Sequence, residues 1–501
     1  MHIKHIFVLI SIFLLLTPSS VTASSNFYLN TERSNYTPGH GNITYPVITH
    51  TSKEKIFSWN VVIGDINGDG KKEIVALTAL SKDEYSHIPN AASIDNTLYV
   101  YSSNLSLLWK YRVRDPMIEE YLKNKISALA LGDLDGDGSD EIIFSISPSV
   151  GPMNSSSEWS ETVLHVLKGD GTELWNRTFL GGITRVSLGV ADINGDARDE
   201  IIVGCENMYI LDSNGQILSN YSLDNYTYRG ISEVAVHGKE IVFTFWYYNY
   251  TKEPFAPGFR VENSLYRMEK LEYQNNSLQR VWSLQLEKDI YEPKYGLFYG
   301  SEDFSTAYIV RGISGVELVA INLTTGKIEW HTKRAEAWFA AILPDKIIWY
   351  TGYEICVLNK SGRIMSSVQT EWYNAAISVF DVNNDGTDDV VVLHKYGIVF
   401  YSLPDLKKEL DVRIWKNSGP GYFPLTIPHL DTDNDGFDEI ITANPEGKIV
   451  IIDNGAPPAP LPPEENKFPF NELIIAGTGI IGAVALITVV LWKKQKRRKS
   501  K

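Results

Sequence analysis

The chain has 501 residues and a formal net charge of -15; 44% of the residues are hydrophobic, 21% are charged and two are cysteine. This balance excludes a wholly disordered chain and a membrane protein with many spans. Two cysteines exclude a disulfide-built scaffold, and the negative charge argues against nucleic acid as a partner. The length suits about three ordinary domains, unless the chain is a repeat array.

The N-terminal residues predict a secretory signal peptide. Residues 1–23 combine Lys4, an apolar run over 6–16 and a small-residue end at Val21-Thr22-Ala23. We therefore expect cleavage after Ala23. An uncleaved anchor is the alternative, but the apolar run is only about half the length of a membrane span.

The C-terminal residues predict a membrane anchor. Residues 472–492 contain 20 uncharged residues in a row, enough to cross a hydrocarbon core of ~30 Å. Seven Lys or Arg residues in the tail 493–501 place this tail inside the cell, and six prolines make 456–471 an extended stalk. We expect a single-pass cell-membrane protein with an extracellular domain over 24–455, one transmembrane helix and a short basic cytoplasmic tail.

Eleven Asn-X-Ser/Thr sequons fall in the predicted extracellular part. Such a set fits an exposed surface that is open to N-glycosylation. Residues 24–471 carry a net charge of -22, so acidic residues dominate this part of the chain. The sequons begin at Asn35, Asn42, Asn104, Asn154, Asn176, Asn220, Asn225, Asn249, Asn275, Asn322 and Asn359.

An acidic nine-residue motif, Asp-x-Asp/Asn-x-Asp-Gly-x-x-Asp/Glu, occurs five times. Each copy leads directly into a β-branched apolar run such as Ile74–Leu77, which is typical of a strand. Positions 1, 3, 5, 7 and 9 of the copies are Asp65, Asn67, Asp69, Lys71 and Glu73; Asp133, Asp135, Asp137, Ser139 and Glu141; Asp192, Asn194, Asp196, Arg198 and Glu200; Asp381, Asn383, Asp385, Thr387 and Asp389; Asp431, Asp433, Asp435, Phe437 and Glu439.

The spacing of the copies predicts the fold. They start 68, 59, 189 and 50 residues apart, and the long gap accommodates three further units of about 47 residues without the motif. Strand-like runs at 239–245, 306–310 and 346–350 fit those units. Eight units without helical periodicity predict an all-β fold, a β-propeller whose blades cover one another's apolar faces.

We favour eight blades, with seven as the alternative; an array of β-sandwiches is a further alternative. The eighth unit ends near Asp453, before its last strand. The segment 45–57, which precedes the first unit, would supply that strand and close the ring.

The chemistry of the motif predicts calcium. Oxygens at positions 1, 3, 5 and 9, with a backbone carbonyl at position 7, are the hard ligands that Ca²⁺ prefers, and glycine at position 6 permits a left-handed turn. An EF-hand would need a bidentate acid at position 12, where this chain has an apolar or small residue such as Ala76. We expect up to five Ca²⁺ ions, the weakest at Asp192–Glu200, because Ala197 replaces the glycine there. The acids at position 8 are expected to point outward or to stand behind the ligands: Asp140, Asp199, Asp388 and Asp438.

These loops and their flanking strands resemble the FG-GAP/VCBS repeats of integrin α-type β-propellers, over about residues 45–453. The resemblance implies a propeller with structural Ca²⁺ at blade loops and an adhesive or ligand-binding role. The segment Leu318–Trp330 is similar to a blade of quinoprotein-type propellers, but it contains no cofactor ligand. Cysteines are sparse and further extracellular modules are absent from the sequence, which separates this chain from a true integrin.

The sequence favours a binding protein over an enzyme. It contains no Gly-x-Ser-x-Gly and no His-Glu-x-x-His motif. We expect a membrane-anchored calcium-binding propeller whose partner is an extracellular protein or glycan, with the oligomeric state left open. A calcium-dependent polysaccharide lyase and a structural surface-layer protein are the alternatives.

Two further sets of residues carry expectations. Cys205 and Cys356 fall in predicted strands of different blades, so we expect buried free thiols. Tyr247, Tyr248 and Tyr250 are predicted to lie in a loop after the strand at 239–245 and to form part of a binding face. The alternative is that alternate aromatic residues of these blades fill the core between blades.

Overall fold

The computed structural model describes the region between the two predicted ends of the chain. Within this region it contains strands, turns and loops. The predicted signal peptide, transmembrane helix and basic tail lie outside the described residues, as does the stalk from Pro457 onward. No helix among the described residues is long and apolar enough to span a bilayer. The described residues are 38–56, 60–77, 97–112, 125–147, 161–181, 187–223, 228–250, 261–288, 298–301, 303–311, 316–334, 339–351, 353–370, 376–394, 396–415 and 427–456.

The strands are short and follow one another through most of this region. They are β1 (Pro46–Thr51), β2 (Asn60–Gly64), β3 (Glu73–Leu77), β4 (Thr97–Tyr101), β5 (Leu107–Arg112), β6 (Lys125–Gly132), β7 (Glu141–Ser147), β8 (Glu161–Leu167), β9 (Glu173–Leu180), β10 (Leu188–Ala191), β11 (Glu200–Gly204), β12 (Met208–Leu211), β13 (Ile217–Tyr221), β14 (Tyr228–His237), β15 (Glu240–Tyr250), β16 (Val261–Gln274), β17 (Ser277–Lys288), β18 (Phe298–Gly300), β19 (Thr306–Arg311), β20 (Val316–Asn322), β21 (Lys327–Arg334), β22 (Phe339–Ile342), β23 (Lys346–Tyr350), β24 (Glu354–Asn359), β25 (Ile364–Gln369), β26 (Ala376–Phe380), β27 (Asp389–His394), β28 (Gly397–Ser402), β29 (Lys407–Val412), β30 (His429–Leu430), β31 (Glu439–Ala443) and β32 (Ile449–Asn454).

These strands form eight antiparallel sheets of four strands, which confirms eight blades and excludes seven. Blades 1 to 7 take their strands in chain order: β2–β5, β6–β9, β10–β13, β14–β17, β18–β21, β22–β25 and β26–β29. First strands of neighbouring blades contact each other, as β2 contacts β6 and β6 contacts β10. The first strands therefore form an inner ring, and the fourth strands lie at the rim.

Blade 8 closes the ring by the predicted route. Its order is β30, β31, β32 and then β1, with Pro46 opposite Asn454 and Thr51 opposite Val450. Just before β1, the segment 39–43, here called the clasp, lies between blades 7 and 8. The N–H of Gly41 donates to the carbonyl of Asp381 at 2.7 Å. The two ends of the propeller are thus held together by main-chain hydrogen bonds.

The apolar core is divided among the seams between blades. Tyr350 and Ile355 of blade 6 pack with Val390 of blade 7 in one buried cluster. Ile451 of blade 8 packs with Ile74 of blade 1 in another. A second strand is covered on both faces by neighbouring blades, and this explains why these strands are continuous apolar runs in the sequence.

Tryptophans on fourth strands join several neighbouring blades. Each indole N–H donates to a carbonyl in the turn between the third and fourth strands of the next blade. A glycine in that turn lies against the ring; a Cβ added at Gly215, which has φ +73°, would be 2.8 Å from Trp175. The pairs are Trp109 to Gly169 at 2.8 Å, Trp175 to Ser213 at 2.7 Å, Trp282 to Leu323 at 2.9 Å and Trp330 to Lys360 at 2.8 Å.

The expectation for the tyrosines of blade 4 was wrong in part. Strand β15 continues to Tyr250, so these residues belong to the strand and not to a loop. Tyr247 is 2% exposed and stacks on Phe245 with ring centroids 6.0 Å apart. Tyr247 fills the core between blades, which was the alternative prediction for the aromatic residues of these blades. Cys205 and Cys356 are buried free thiols, as expected.

The contact between indole and glycine gives a test of the seams. We expect Gly215→Ala to lower the free energy of unfolding by about 2 to 4 kcal/mol, since the new Cβ overlaps Trp175 and must adopt a positive φ. Gly238→Ala is the matched control: its φ is +50° and nothing lies within 4 Å of its Cβ. Urea unfolding of both variants measures the difference, and equal losses would contradict the role assigned to the seam.

Candidate metal centres

All five motif copies connect the first strand of a blade to its second strand. In blade 1, for example, the loop follows Gly64 at the end of β2 and leads into Glu73 at the start of β3. Strand direction alternates within a blade, so these loops and the turns between third and fourth strands lie on one face, here called the motif face. The turns between second and third strands and the connections between blades lie on the opposite face.

Each loop folds around its own carboxylates. In blade 2, Asp133 accepts the N–H of Gly136 at 2.7 Å and, through its other oxygen, that of Gly138 at 2.9 Å. The carboxylate of Asp137 accepts the N–H of Ser139 at 2.9 Å. The other copies repeat this pattern, with small changes at the fourth and fifth positions. Five or six hydrogen bonds from backbone N–H groups thereby gather the acidic side chains of a loop into one small volume.

The residue at position 2 anchors the loop, and the sequence analysis missed this role. Its N–H donates to one oxygen of the position 9 acid, as Leu134 does to Glu141 at 2.9 Å. Its side chain is buried in the seam. The signal in the sequence was an apolar residue at this position in four of the five copies. The five anchors are Ile66, Leu134, Ile193, Val382 and Thr432.

The predicted ligands converge best in blades 8 and 2. Oxygens of Asp431, Asp433, Asp435 and Glu439 lie within 4.8 Å of one another, and so do those of Asp133, Asp135 and Glu141. In blades 1, 3 and 7 position 3 is an asparagine: Asn67, Asn194 and Asn383. The Asn194 amide donates to Glu200 at 2.6 Å, which occupies an oxygen that a cation would need.

Position 7 contributes its main chain to the loop. Its N–H donates to the position 5 carboxylate in every copy, as that of Phe437 does to Asp435 at 2.9 Å. The side chains at this position are exposed or half-buried, and their chemical types differ widely: Lys71, Ser139, Arg198, Thr387 and Phe437. This variety fits a role for the backbone carbonyl alone.

The acid at position 9 is buried without a counter-charge. Burial, reinforced by the neighbouring loop carboxylates, raises the pKa of Glu141, Glu200, Asp389 and Glu439 to about 7. Asp389 is fully buried, and its Oδ1 has no hydrogen-bond partner. A buried, unpaired carboxylate oxygen is costly, and a bound cation would supply the missing partner. The residues present therefore fit a cation.

The third copy has the expected irregular turn. Ala197 adopts φ +67°, whereas the equivalent glycines, such as Gly138 at +88° and Gly436 at +94°, can adopt positive φ without strain. A non-glycine residue in this region costs on the order of 1 kcal/mol or more. The strained turn is thus present, and weaker metal binding there stays a prediction.

Of the two positions expected for the position 8 acids, outward or behind the ligands, Asp199 and Asp140 take the second. Asp199 lies half-buried at the seam, where its N–H donates to the carbonyl of Asp133 at 2.9 Å. Its carboxylate accepts the N–H of Asp133 at 3.2 Å. Asp140 bonds in the same way to the carbonyl of Asp65 at 2.8 Å. In blades 2 and 3, position 8 therefore ties the loop to position 1 of the preceding blade, a role visible only once the blades are adjacent.

In blade 8 the position 8 acid, Asp438, bonds to the clasp and not to position 1 of the preceding blade. The N–H of Asp438 donates to the carbonyl of His40 at 2.9 Å, and the carboxylate lies 2.8 Å from Nδ1 of His429. The clasp in turn bonds to Asp381 at position 1 of blade 7. The loops of blades 7 and 8 are therefore linked through the N-terminal segment.

Comparison with known proteins supports the fold. No protein-family model and no curated protein matches the sequence. The Dos1 propeller aligns with a TM-score of 0.50 and 9% identity, over 83% of this chain and 95% of that one. The rhamnogalacturonan lyase PL11 of Bacillus licheniformis aligns with a TM-score of 0.40 and 12% identity, over 81% and 91%. Sqt1 of Saccharomyces cerevisiae aligns at 0.45 and 10% identity, over 82% and 98%. The chain is an eight-bladed β-propeller.

The position 9 acids predict how pH affects the metal-free protein. In the folded state the pKa of Glu141, Glu200, Asp389 and Glu439 is about 7, against ordinary values of 4.5 for glutamate and 3.8 for aspartate, so the folded state binds more protons between these values. The stability they contribute is therefore lost as pH rises from about 4.5 to about 7, and levels off above. In chelator, the free energy of unfolding of the unchanged protein is expected to fall relative to that of the Glu439→Gln variant as pH rises from about 4.5 to about 7. Urea unfolding at several pH values measures it, and a flat or rising difference would refute the assignment.

Proposed function

We propose that this chain is a calcium-stabilised binding protein of the cell surface. In this proposal a membrane-anchored extracellular propeller holds Ca²⁺ in its five motif loops and binds an extracellular glycan or protein, without catalysis. The extracellular placement rests on the predicted signal peptide, stalk and anchor of the sequence. The observation that carries the metal assignment is the buried acid at position 9, set among acids that the backbone holds close together; in blade 7 one oxygen of this acid, Oδ1 of Asp389, has no hydrogen-bond partner.

The donor set favours calcium over other metals. In blade 8 the ion would be held by Asp431, Asp433, Asp435 and Glu439, with the carbonyl of Phe437. These are all hard oxygen donors, with no histidine or cysteine among them, and Ca²⁺ accepts six to eight such ligands with flexible geometry. Zinc or copper would favour nitrogen or sulfur ligands.

The role we assign to calcium is stabilisation. The ion neutralises acids that otherwise repel one another within a loop, and it favours the folded state by mass action. The loops of blades 1, 2 and 3 are bonded in series through Asp140 and Asp199. Ordering one loop therefore supports its neighbour, and calcium strengthens the seams as well as the loops.

Calcium removal should destabilise the propeller. We expect the melting temperature of residues 24–455 to fall in EDTA and to recover with Ca²⁺ but not with equal Mg²⁺. Each site filled at 100 times its dissociation constant adds about 2.7 kcal/mol. Differential scanning calorimetry and elemental analysis measure the effect and the number of bound ions.

Single substitutions separate specific binding from general charge effects. Asp435→Asn should remove one ion, and Asp405→Asn, which changes an exposed carboxylate outside the loops, should remove none. Ala197→Gly should tighten the blade 3 site, because it relieves the strained turn. Absence of bound calcium, together with identical melting curves in EDTA and Ca²⁺, would sink the metal assignment.

The opposite face is where we place the ligand. The sequence between the second and third strands is long in several blades, at 78–96, 148–160 and 251–260, which lie outside the described residues, and binding residues concentrate in long connections. Described side chains on this face include Tyr353, which is 58% exposed. In the next blade, on the same face, the guanidinium of Arg413 lies over the ring of Tyr396 at 5.1 Å from the ring centroid. Exposed aromatic residues of this kind suit sugar rings and protein side chains.

A binding screen with a matched pair of variants tests this placement. The calcium-loaded residues 24–455 are applied to a glycan array and to immobilised cell-surface proteins, and turnover of acidic polysaccharides is assayed in parallel. We expect saturable binding that Tyr353→Ala weakens about tenfold, as loss of an aromatic anchor does. Met365→Ala, 56% exposed at the rim, should leave it unchanged. Cleavage of a polysaccharide would contradict the non-catalytic assignment.

A further inference from the structure

In blades 1 to 6 the rim of the propeller has two features that favour association between molecules. Each fourth strand is the open edge of its sheet, with main-chain groups that another strand could pair with. Each of these strands also exposes at least one large apolar side chain. The most exposed in blades 1 to 6 are Leu108 at 48%, Leu180 at 52%, Ile217 at 39%, Val281 at 48%, Ile328 at 40% and Met365 at 56%.

The same six blades each carry a sequon at the rim. In blades 1 and 4 the asparagine lies in the turn that leads into the fourth strand, in blades 5 and 6 it is the last residue of the third strand, and in blades 2 and 3 it lies within the fourth strand. The asparagines of blades 1 to 6 are, in order, Asn104, Asn176, Asn220, Asn275, Asn322 and Asn359. One sequon in the same zone of six consecutive blades is a regular pattern, although the blades differ in length and in the acidic motif.

Blade 7 breaks the pattern in both respects. Its fourth strand, β29, has no sequon, and no large hydrophobic side chain of that strand is exposed. It carries charges instead: Lys407 pairs with Glu409 at 2.8 Å and Lys408 with Asp411 at 2.9 Å. Charged side chains are an established means of blocking an edge strand. The fourth strand without a sequon is thus the one with the highest share of charged residues, four of six.

Blade 8 also has exposed apolar residues on its outer strand and a sequon, although this sequon lies in the clasp. Its outer strand β1 exposes Val47 at 39% and Ile48 at 37%. The sequon at Asn42 comes shortly before this strand, on the motif face. Exposed apolar residues on an edge strand therefore occur together with a sequon in seven blades. The remaining blade, blade 7, has neither on its described fourth strand.

We propose that the rim sequons carry N-linked glycans, which form a belt that covers the apolar edges of blades 1 to 6 and prevents pairing between molecules. The belt rests on the extracellular placement in the proposed function. A hydrated glycan at each rim sequon would hide the exposed apolar residues and obstruct a second strand. Blade 7 needs no such cover because its charges already oppose pairing.

The modification is a glycosyl transfer from a lipid-linked oligosaccharide. The side-chain Nδ2 of asparagine forms a bond to C1 of the first sugar, and the bond from C1 to the lipid phosphate oxygen breaks. The lipid phosphate leaves with the electron pair, and the amide loses one proton to a base of the transferase. No oxidation or reduction takes place, and the amide keeps one N–H.

The turns present these asparagines in a suitable way. The Oδ1 of Asn104 accepts the N–H of Ser106 at 3.1 Å, and that of Asn359 accepts the N–H of Ser361 at 3.1 Å. These bonds use the oxygen and leave the Nδ2, the atom that is modified, out of the turn. The Nδ2 of Asn176 donates to Glu173 at 3.0 Å, a bond that the N–H retained after glycosylation can still make.

Production of the full chain in a yeast secretory host tests occupancy. Glycopeptide mass spectrometry should find glycan on most of the six rim asparagines. A processed chain with empty rim sequons would overturn the belt and leave the extracellular placement intact. A chain retained inside the cell with residues 1–23 attached would overturn both.

A second measurement tests what the belt does. Trimming the folded, glycosylated protein with an endoglycosidase, or replacing the six sequon hydroxyl residues with alanine, should at least about double the apparent mass in light scattering, since uncovered edges pair. The calcium-dependent melting temperature should not change on trimming. A trimmed protein that stays as monodisperse as the glycosylated one would overturn the protective role. The alanine replacements are at Ser106, Thr178, Ser222, Ser277, Thr324 and Ser361.

Discussion

The second strand of every blade must be covered on both faces, and most of the structure follows from this requirement. Strands such as β11, β27 and β31 are buried along their whole length. One four-stranded sheet cannot supply that cover, so each blade needs a neighbour on either side, and only a closed ring gives one to all eight. The clasp and β1 close the ring at the point where the two ends of the propeller meet.

The motif loops add a second constraint, which opposes the first. The seam that buries the apolar strand also buries the acid at position 9, because this residue is the first of the second strand. Its carboxylate lies among two or three others, and the pKa of Glu439 is raised to about 7 by burial and by those neighbours. A chain selected only for stability would have an apolar residue there. Retention of an acid in five blades at this cost is what makes a cation the natural occupant.

The sequence predicted the features that depend on period and local chemistry. The spacing of the motif gave eight blades, and the missing last strand of the eighth unit indicated that 45–57 closes the ring. It could not predict features that arise only between blades. For Asp199 the sequence left open an outward position or one behind the ligands, because nothing near it in the chain shows that Asp133 of the preceding blade lies against it. Tyr247 was placed in a loop because β15 is about twice as long as the other second strands.

The five blades that carry the motif are contiguous once the ring is closed: 7, 8, 1, 2 and 3. Their seams therefore depend on loops that a cation would order, and the closure point lies inside this arc. The seams around blade 5 have no such loops and are joined by Trp282 and Trp330, which donate to carbonyls in the next blade. The ring therefore has two arcs: one whose seams carry the motif loops, two of them with an indole bond as well, and one whose seams have no motif loop. Under the proposed calcium binding, removal of the ion is expected to weaken the arc that contains the closure, where the two ends of the propeller meet.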